Sequence, residues 1–280
     1  MTTLAYRILN VFTRNGERLS GNPLCVFEDG ANLDTATMQA LARQFNLSET
    51  TFILPSSRAS AGVRIFTPDY EMPFAGHPTL GTAFVCRALG KGGDDLMLDM
   101  QAGLIPVSAQ GNRWKLRANT PTWREAPPRD VIARMLSLAP DDVADRPLWV
   151  KAGKEQLIVP LRSESAVRRV RPDLELMKHV TSEDGHCMAY VFAAVSDDRL
   201  LSRFFFPSGA AIIEDPATGS ATANLGGWFL AAGHTLPLHR QISQGEYTGR
   251  PSVLYLDVAA DRQIFVSGDV IELGRGVLDV

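Results

Sequence analysis

Arg64-Ile65-Phe66-Thr67-Pro68 leads into Pro73-Phe74-Ala75-Gly76-His77-Pro78-Thr79-Leu80-Gly81, and the second half of the chain repeats the figure. There, Arg203-Phe204-Phe205-Phe206-Pro207 leads into Asp215-Pro216-Ala217-Thr218-Gly219-Ser220-Ala221. Arg64 and Arg203 are 139 residues apart, and Ala75 and Ala217 are 142 apart, each about half of the 280-residue chain. A single five-residue match is within reach of chance. An offset shared by a strand-like run and the segment after it points instead to two halves of similar topology.

Each lead-in is followed by a stretch that reads as helix. The first is expected over about 77–89, with Pro78 in the opening turn, where a missing N–H costs nothing. The second is expected over about 218–232. Both carry small and apolar residues on all sides, which suits a helix enclosed by strands. Glycine inside a helix costs about 1 kcal/mol, so Gly81, Gly226 and Gly227 predict close packing against a neighbour. A third helical stripe, Met38, Leu41, Ala42 and Phe45, has Asp34 placed as N-cap and Asn46 as C-terminal stop. Short apolar runs such as Phe52-Ile53-Leu54, Leu157-Ile158-Val159-Pro160 and Tyr190-Val191-Phe192 read as strands. Pro and short polar residues at 119–123 interrupt both periodicities and set domains at 1–118 and 119–280.

Composition narrows the function. The chain is 45% hydrophobic and 21% charged, with 28 basic against 31 acidic residues. That balance excludes a phosphate-tracking surface, and Arg168-Arg169-Val170-Arg171, flanked by acids, reads as a solvated face. The amino terminus lacks the basic start and apolar stretch of a signal peptide. No segment approaches the roughly 20 apolar residues of a membrane span. Cys25, Cys86 and Cys187 are odd in number and widely spaced, so a disulfide framework or metal cluster is not expected and a reducing cytoplasm is.

Helix N-termini at symmetric positions of two domains would face one another across a cleft. Their unpaired N–H groups would hold a carboxylate without Lys or Arg and stabilise charge delivered to it when a neighbouring C–H is deprotonated. Gly76 and His77 stand at one such end, and Asp215, Gly219 and Ser220 at the other. The same residues are equally good ordinary caps, so spacing alone leaves both readings open. A base is also required. Glu49, in Asn46-Leu47-Ser48-Glu49-Thr50 between a helix end and an apolar strand, is placed where burial would raise its pKa toward neutrality; a solvated loop glutamate is the alternative.

At this point a family resemblance becomes specific. Asn10-Val11-Phe12-Thr13 with Gly21-Asn22-Pro23, the Glu49 segment, the two lead-ins with their helices, Gln244-Gly245, Gly249-Arg250-Pro251-Ser252, Val266-Ser267-Gly268 and Gly274-Arg275-Gly276 resemble, in order, the signature segments of the PhzF-like phenazine-biosynthesis family. The resemblance spans essentially the whole chain. It implies an α+β, diaminopimelate-epimerase-like fold: two pseudo-symmetric domains, each a curved, mainly antiparallel sheet or barrel around a central helix. The final strand, about 273–280, would cross back to the first domain. It further implies isomerisation of trans-2,3-dihydro-3-hydroxyanthranilate in the cytoplasm by a homodimer, with no metal or organic cofactor. By motif, Glu49, His77 and Asp215 would be catalytic, and Gly76, Gly219, Ser220 and Ser48 would bind the small carboxylate substrate. Asn10 stands where the family often has Asp, and Cys25 where it often has Ala.

Racemases and epimerases of the wider superfamily set a Cys before each central helix; here those positions are Ala75 and Ala217. Adding 139 to Glu49 reaches Met188. One base can return a proton to the same face but cannot readily invert a centre, so isomerisation is favoured. The alternatives are an epimerase using Glu49 and Asp215 as opposed bases, and a non-catalytic family member that binds a metabolite or protein.

Overall fold

The structure, a computed structural model, describes residues 2–280, and its contacts part the chain into two units. One runs to Arg117 and takes in Ser267–Val280; the other is Ala118–Val266. The first unit carries β1 (Thr3–Val11), β2 (Asn22–Phe27), α1 (Thr35–Phe45), β3 (Glu49–Leu54), β4 (Ala61–Phe66) and β5 (Glu71–Met72). Then come α2 (Gly76–Ala88), β6 (Asp95–Met100), β7 (Gly103–Gln110) and β8 (Arg113–Arg117). The second unit opens with β9 (Thr122–Glu125), α3 (Arg129–Met135), β10 (Leu148–Lys151) and β11 (Glu155–Pro160). It continues through α4 (Glu164–Arg169), α5 (Leu174–His179), β12 (Ala189–Ala194), β13 (Arg199–Ser208) and β14 (Ala211–Asp215). It ends with α6 (Gly219–Ala232), β15 (Leu238–Gln244) and β16 (Ser252–Val258), and β17 (Ile264–Asp279) starts there and finishes in the first unit.

In the first unit, β17 pairs with β1, β1 with β2, β2 with β3, β3 with β4, β4 with β6, β6 with β7 and β7 with β8. β8 pairs in turn with β17, closing an eight-stranded barrel. The β2–β3 and β4–β6 pairs are parallel, and β1–β17, β1–β2, β3–β4, β6–β7 and β7–β8 are antiparallel. The second unit repeats that order of senses. Its β9–β10 and β10–β11 pairs are antiparallel, β11–β12 parallel, β12–β13 antiparallel, β13–β15 parallel and β15–β16 antiparallel. The duplication read from the Arg64 and Arg203 segments is therefore topological. It reaches the side chains as well: Arg64 clamps Glu71 with Nε and Nη2, and Arg203 clamps Glu214 with the same two nitrogens.

The final strand returns to the first unit from Ser267, earlier than the expected position near 273, so the second unit does not extend to 280. The reason is register. β17 is one unbroken strand, and it already faces β1 at Val270, opposite Val11, before running on to Asp279, opposite Thr3.

The central helices are buried nearly all round, as their even apolar composition predicts. α2 lies against β1, β2, β3, β4, β6, β7 and β8, and α6 against β9, β10, β11 and β16. α2 starts one residue before the expected 77 and α6 one after the expected 218, so Pro78 is the third residue of its helix, still within the turn whose N–H groups have no helical partner. Asp34 caps α1 through the Thr37 N–H, and Asn46 ends it in the left-handed region, both as expected.

The helix glycines are contact points. A methyl group on Gly81 would stand 2.5 Å from Leu24 Cδ2, and one on Gly227 2.7 Å from Val150 Cγ1 and 2.8 Å from Pro121 Cβ. Val150 and the Pro121 ring are stiff, so Gly227→Ala forces overpacking that costs about 1–3 kcal/mol. Alanine's better helix propensity returns about 1 kcal/mol. The expected net result is a loss of up to about 2 kcal/mol, read as a lower midpoint in thermal denaturation; a stabilised variant would show that the contact yields.

Candidate active site

In the first unit, the left-handed stop at Asn46 turns the chain straight into β3, and Glu49 is that strand's first residue. Parallel pairing sets Glu49 opposite Leu24, beside Pro23. His77, the second residue of α2, reaches the same place from inside the barrel. Its Nε2 lies 3.4 Å from Glu49 Oε2, with side chains 7% and 16% exposed. The ring also hydrogen-bonds to the backbone of Pro23, and Nε2 has no hydrogen-bond partner, so Nδ1 is the atom that donates to the Pro23 carbonyl. Burial pushes the His77 pKa down to about 3, outweighing the opposite pull of that carbonyl. The imidazole is thus neutral at pH 7, protonated at Nδ1, and presents the Nε2 lone pair to Glu49.

That depression has a stability consequence. In the unfolded chain the ring titrates near 6.5, so below that pH the unfolded state binds one more proton than the folded state and stability falls as pH drops. Between about pH 6.5 and 5, ahead of most carboxylates, one proton is worth about 1.4 kcal/mol per pH unit at full slope. His77→Asn is expected to flatten this slope relative to wild type in chemical denaturation at stepped pH. Parallel curves would place the proton uptake elsewhere.

In the second unit the β14–α6 junction gathers the other expected residues. Asp215 ends β14, and its Oδ2 accepts from the Thr218 hydroxyl at 2.5 Å. Gln244, 2% exposed, donates from Nε2 to the Asp215 carbonyl at 2.9 Å and to Thr218 Oγ1 at 3.0 Å, and accepts from the Thr218 N–H at 3.3 Å. Gly219 and Ser220 are the first two residues of α6. Ser220 Oγ accepts from Gln156 Nε2 at 3.0 Å.

Capping separates the helices into two kinds. α1, α4 and α5 have side-chain caps from Asp34, Ser163 and Asp173. α2 and α6 have none, and neither does the seven-residue α3 behind Pro128. At α6 the N-cap side chain, Thr218, is engaged on Asp215, and at α2 the N-cap residue, Ala75, has no side chain that could cap.

Of the residues expected from sequence, Glu49 and His77 come together in the first unit, with Gly76 beginning the same helix; Asp215, Gly219 and Ser220 come together in the second. Ser48 is solvent-exposed. Sequence reading passed over Gln156. Its signal was available: an amide in the otherwise apolar, wholly buried run Gln156-Leu157-Ile158-Val159-Pro160. Asn10, the departure from the family's Asp, is buried and donates from Nδ2 to the Arg18 carbonyl at 2.7 Å, a bond a carboxylate could not make. The three cysteines are buried free thiols with pKa values raised by burial, that of Cys86 to about 12. Arg168 pairs with Glu164 and Glu246, and Arg169 with Asp142, as a solvated face should. Among the described residues no group of three His, Cys, Asp or Glu could hold a metal ion, and no helix is long and apolar enough to cross a membrane.

A family model described as phenazine biosynthesis-like protein matches residues 9–273. The chain belongs to the PhzC/PhzF family. This PhzF-family chain is 37% identical over 284 residues to an uncharacterized isomerase of Pasteurella multocida, covering 100% of this chain and 96% of that one. It is 36% identical over 288 residues to the trans-2,3-dihydro-3-hydroxyanthranilate isomerase of Pseudomonas chlororaphis, covering 98% of each. Its fold matches a PhzF-family phenazine biosynthesis protein of Bacillus anthracis with a TM-score of 0.86 over 100% of both chains, at 23% identity. The architecture is thus the diaminopimelate-epimerase-like one that the resemblance implied.

Proposed function

We propose that this PhzF-family isomerase moves a proton between carbons of a small conjugated carboxylic acid, without a cofactor, and that Glu49 is the group that carries the proton. The observation that carries the reading is Glu49 Oε2 at 3.4 Å from the Nε2 of a buried, neutral His77. The Glu49 carboxylate takes a proton from carbon, and the C–H electron pair moves into the conjugated system toward the substrate carboxylate. The protonated Glu49 then has an acceptor at hand in His77 Nε2, which holds that acid in place until it delivers the proton to a second carbon. An imidazolium at position 77 would instead stabilise the ionised base and weaken it, which is why a neutral ring matters.

Within the second unit, the uncapped start of α6 suits a carboxylate. Gly219, Ser220 and Ala221 occupy the turn whose N–H groups lack helical partners, and the helix dipole adds to their effect. A carboxylate held there is stabilised by those N–H groups without Lys or Arg. Asp215 and Ser220 would hydrogen-bond the substrate's polar groups. At the position equivalent to Glu49, the start of β12, the second unit carries Met188-Ala189, neither of which can act as a base. This favours isomerisation over inversion. The curated relative from Pseudomonas chlororaphis supplies the substrate to try first.

Proton NMR of trans-2,3-dihydro-3-hydroxyanthranilate with the purified protein in D₂O tests the reading. The expected result is a moved double bond with deuterium at one ring carbon. No change in the spectrum would remove this substrate. Deuterium incorporation with inversion and no bond migration would return the epimerase.

A further inference from the structure

We infer that Gln156 and Asn224 form a hydrogen-bond relay of fixed polarity that makes Ser220 a donor toward the substrate carboxylate, so that Gln156 is a positioning residue for this site. The inference rests on the proposed role of the α6 start as the carboxylate site.

The polarity follows from backbone groups, whose donor and acceptor roles are not in doubt. Asn224, on α6 and 1% exposed, has its Oδ1 2.7 Å from the Ala152 N–H and its Nδ2 3.0 Å from the Lys154 carbonyl. An N–H can only donate and a carbonyl can only accept, so the amide of Asn224 has one permitted orientation. Its second Nδ2 hydrogen points to Gln156 at 2.8 Å, and the atom there must be Oε1. Gln156, also 1% exposed, is oriented in turn, and its Nε2 donates to Ser220 Oγ at 3.0 Å. With that bond accepted, the one hydrogen Ser220 owns is directed elsewhere, and among the described residues Ser220 Oγ has no other hydrogen-bond partner. A serine fixed in this way presents a donor to an anion and resists turning its lone pairs to it. Both amides are buried, so water does not compete for their orientation, and reversing the chain would leave the Ala152 N–H facing an NH₂.

Gln156→Glu is the sharpest test, since it keeps the shape and reverses the last link. A carboxylate at 156 accepts from Asn224 and from Ser220, turning the serine proton inward. Anthranilate, an aromatic carboxylate that cannot be isomerised, serves as the binding probe in titration calorimetry, beside steady-state kinetics on trans-2,3-dihydro-3-hydroxyanthranilate. Gln156→Glu and Ser220→Ala are each expected to weaken anthranilate about tenfold and to raise KM more than they lower kcat. The double variant is expected to match Ser220→Ala alone, because Gln156 acts through that hydroxyl. Additive losses would mean that the new charge or a packing defect is responsible and would overturn the relay. So would unchanged binding by Gln156→Glu, or no anthranilate binding by wild type. Should Gln156→Glu fail to fold, Gln156→Met removes the donor without charge. It is expected to weaken binding about threefold, again with no further loss on Ser220→Ala, and an additive loss there would overturn the relay too. Failure of the isomerase reading is separable: wild type would bind anthranilate, with the same pattern among variants, and turn over nothing.

Discussion

Glu49→Gln is expected to lower kcat by about 10²–10⁴-fold, the range a positioned acid–base group contributes, with KM changed little. The amide keeps the size of the carboxylate and can still meet His77 Nε2 through an N–H, so the contact with His77 should survive. What it cannot do is accept a proton from carbon. Glu49→Asp separates chemistry from placement: it retains the base and withdraws it by one methylene from a position fixed by β3. A displacement of about 1 Å can cost 10²-fold where geometry is set by rigid elements, so the aspartate variant should be slow, yet faster than the glutamine variant. Deuterium transfer in D₂O should fail in parallel with turnover for both. A glutamine variant within about threefold of wild type would take Glu49 out of the mechanism, whatever the aspartate did.

How this site is built explains which parts of it could be read from the sequence. The Arg64 and Arg203 segments were legible because a strand and the helix after it are neighbours along the chain, and their repetition at one offset survives without knowledge of any contact. The central helices were legible for a related reason: enclosure by strands removes the polar stripe, and that leaves a composition rather than a period to recognise. The glycine contacts followed from the same enclosure. The final strand was only partly legible. Its partners are set by pairings such as Thr3 with Asp279, and nothing local to Ser267 marks where it changes unit. The meeting of Glu49 with His77 depends on parallel β2–β3 pairing and on the radius of the barrel, neither of which has a local signature; family motif stood in for geometry there. The tautomer of His77, set by the Pro23 carbonyl, was out of reach. Gln156 was missed because reading by period classes a buried strand by its apolar residues and treats a single amide as noise. In a buried strand an amide is expensive unless satisfied, so it is the residue to query first.

Arg203→Met is expected to destabilise the second unit by about 3 kcal/mol, the low end of the cost of leaving a buried charge uncompensated because Glu214 is only partly buried, while Arg64→Met should cost the first unit about 1 kcal/mol or less. The two arginines occupy matched positions and make the same two-nitrogen clamp, so the contrast isolates depth. Arg203 is 6% exposed and Glu214 15%, whereas Arg64 and Glu71 are each 27% exposed. Arg203 also serves backbone that Arg64 does not: its Nη1 donates to the carbonyls of Val167 at 3.2 Å and Val170 at 2.9 Å, at the end of α4, and its guanidinium stacks 4.3 Å from the Tyr247 ring centroid. Arg64 adds a bond to the Thr35 hydroxyl at 3.0 Å and lies 5.0 Å from the Phe66 ring centroid. Since a chain of two units need not unfold in one step, the losses should be read by hydrogen exchange resolved along the sequence. Residues 199–215 should lose protection in Arg203→Met while 61–72 keep theirs. Replacing both partners, as in Arg203→Met with Glu214→Leu, should recover much of the loss, because it is the orphaned carboxylate rather than the missing attraction that is costly. Equal losses from Arg203→Met and Arg64→Met would mean that the clamp's energy lies in its two hydrogen bonds alone. The expected inequality would mean that duplication preserved the geometry of the clamp while burial came to set its weight separately in each half.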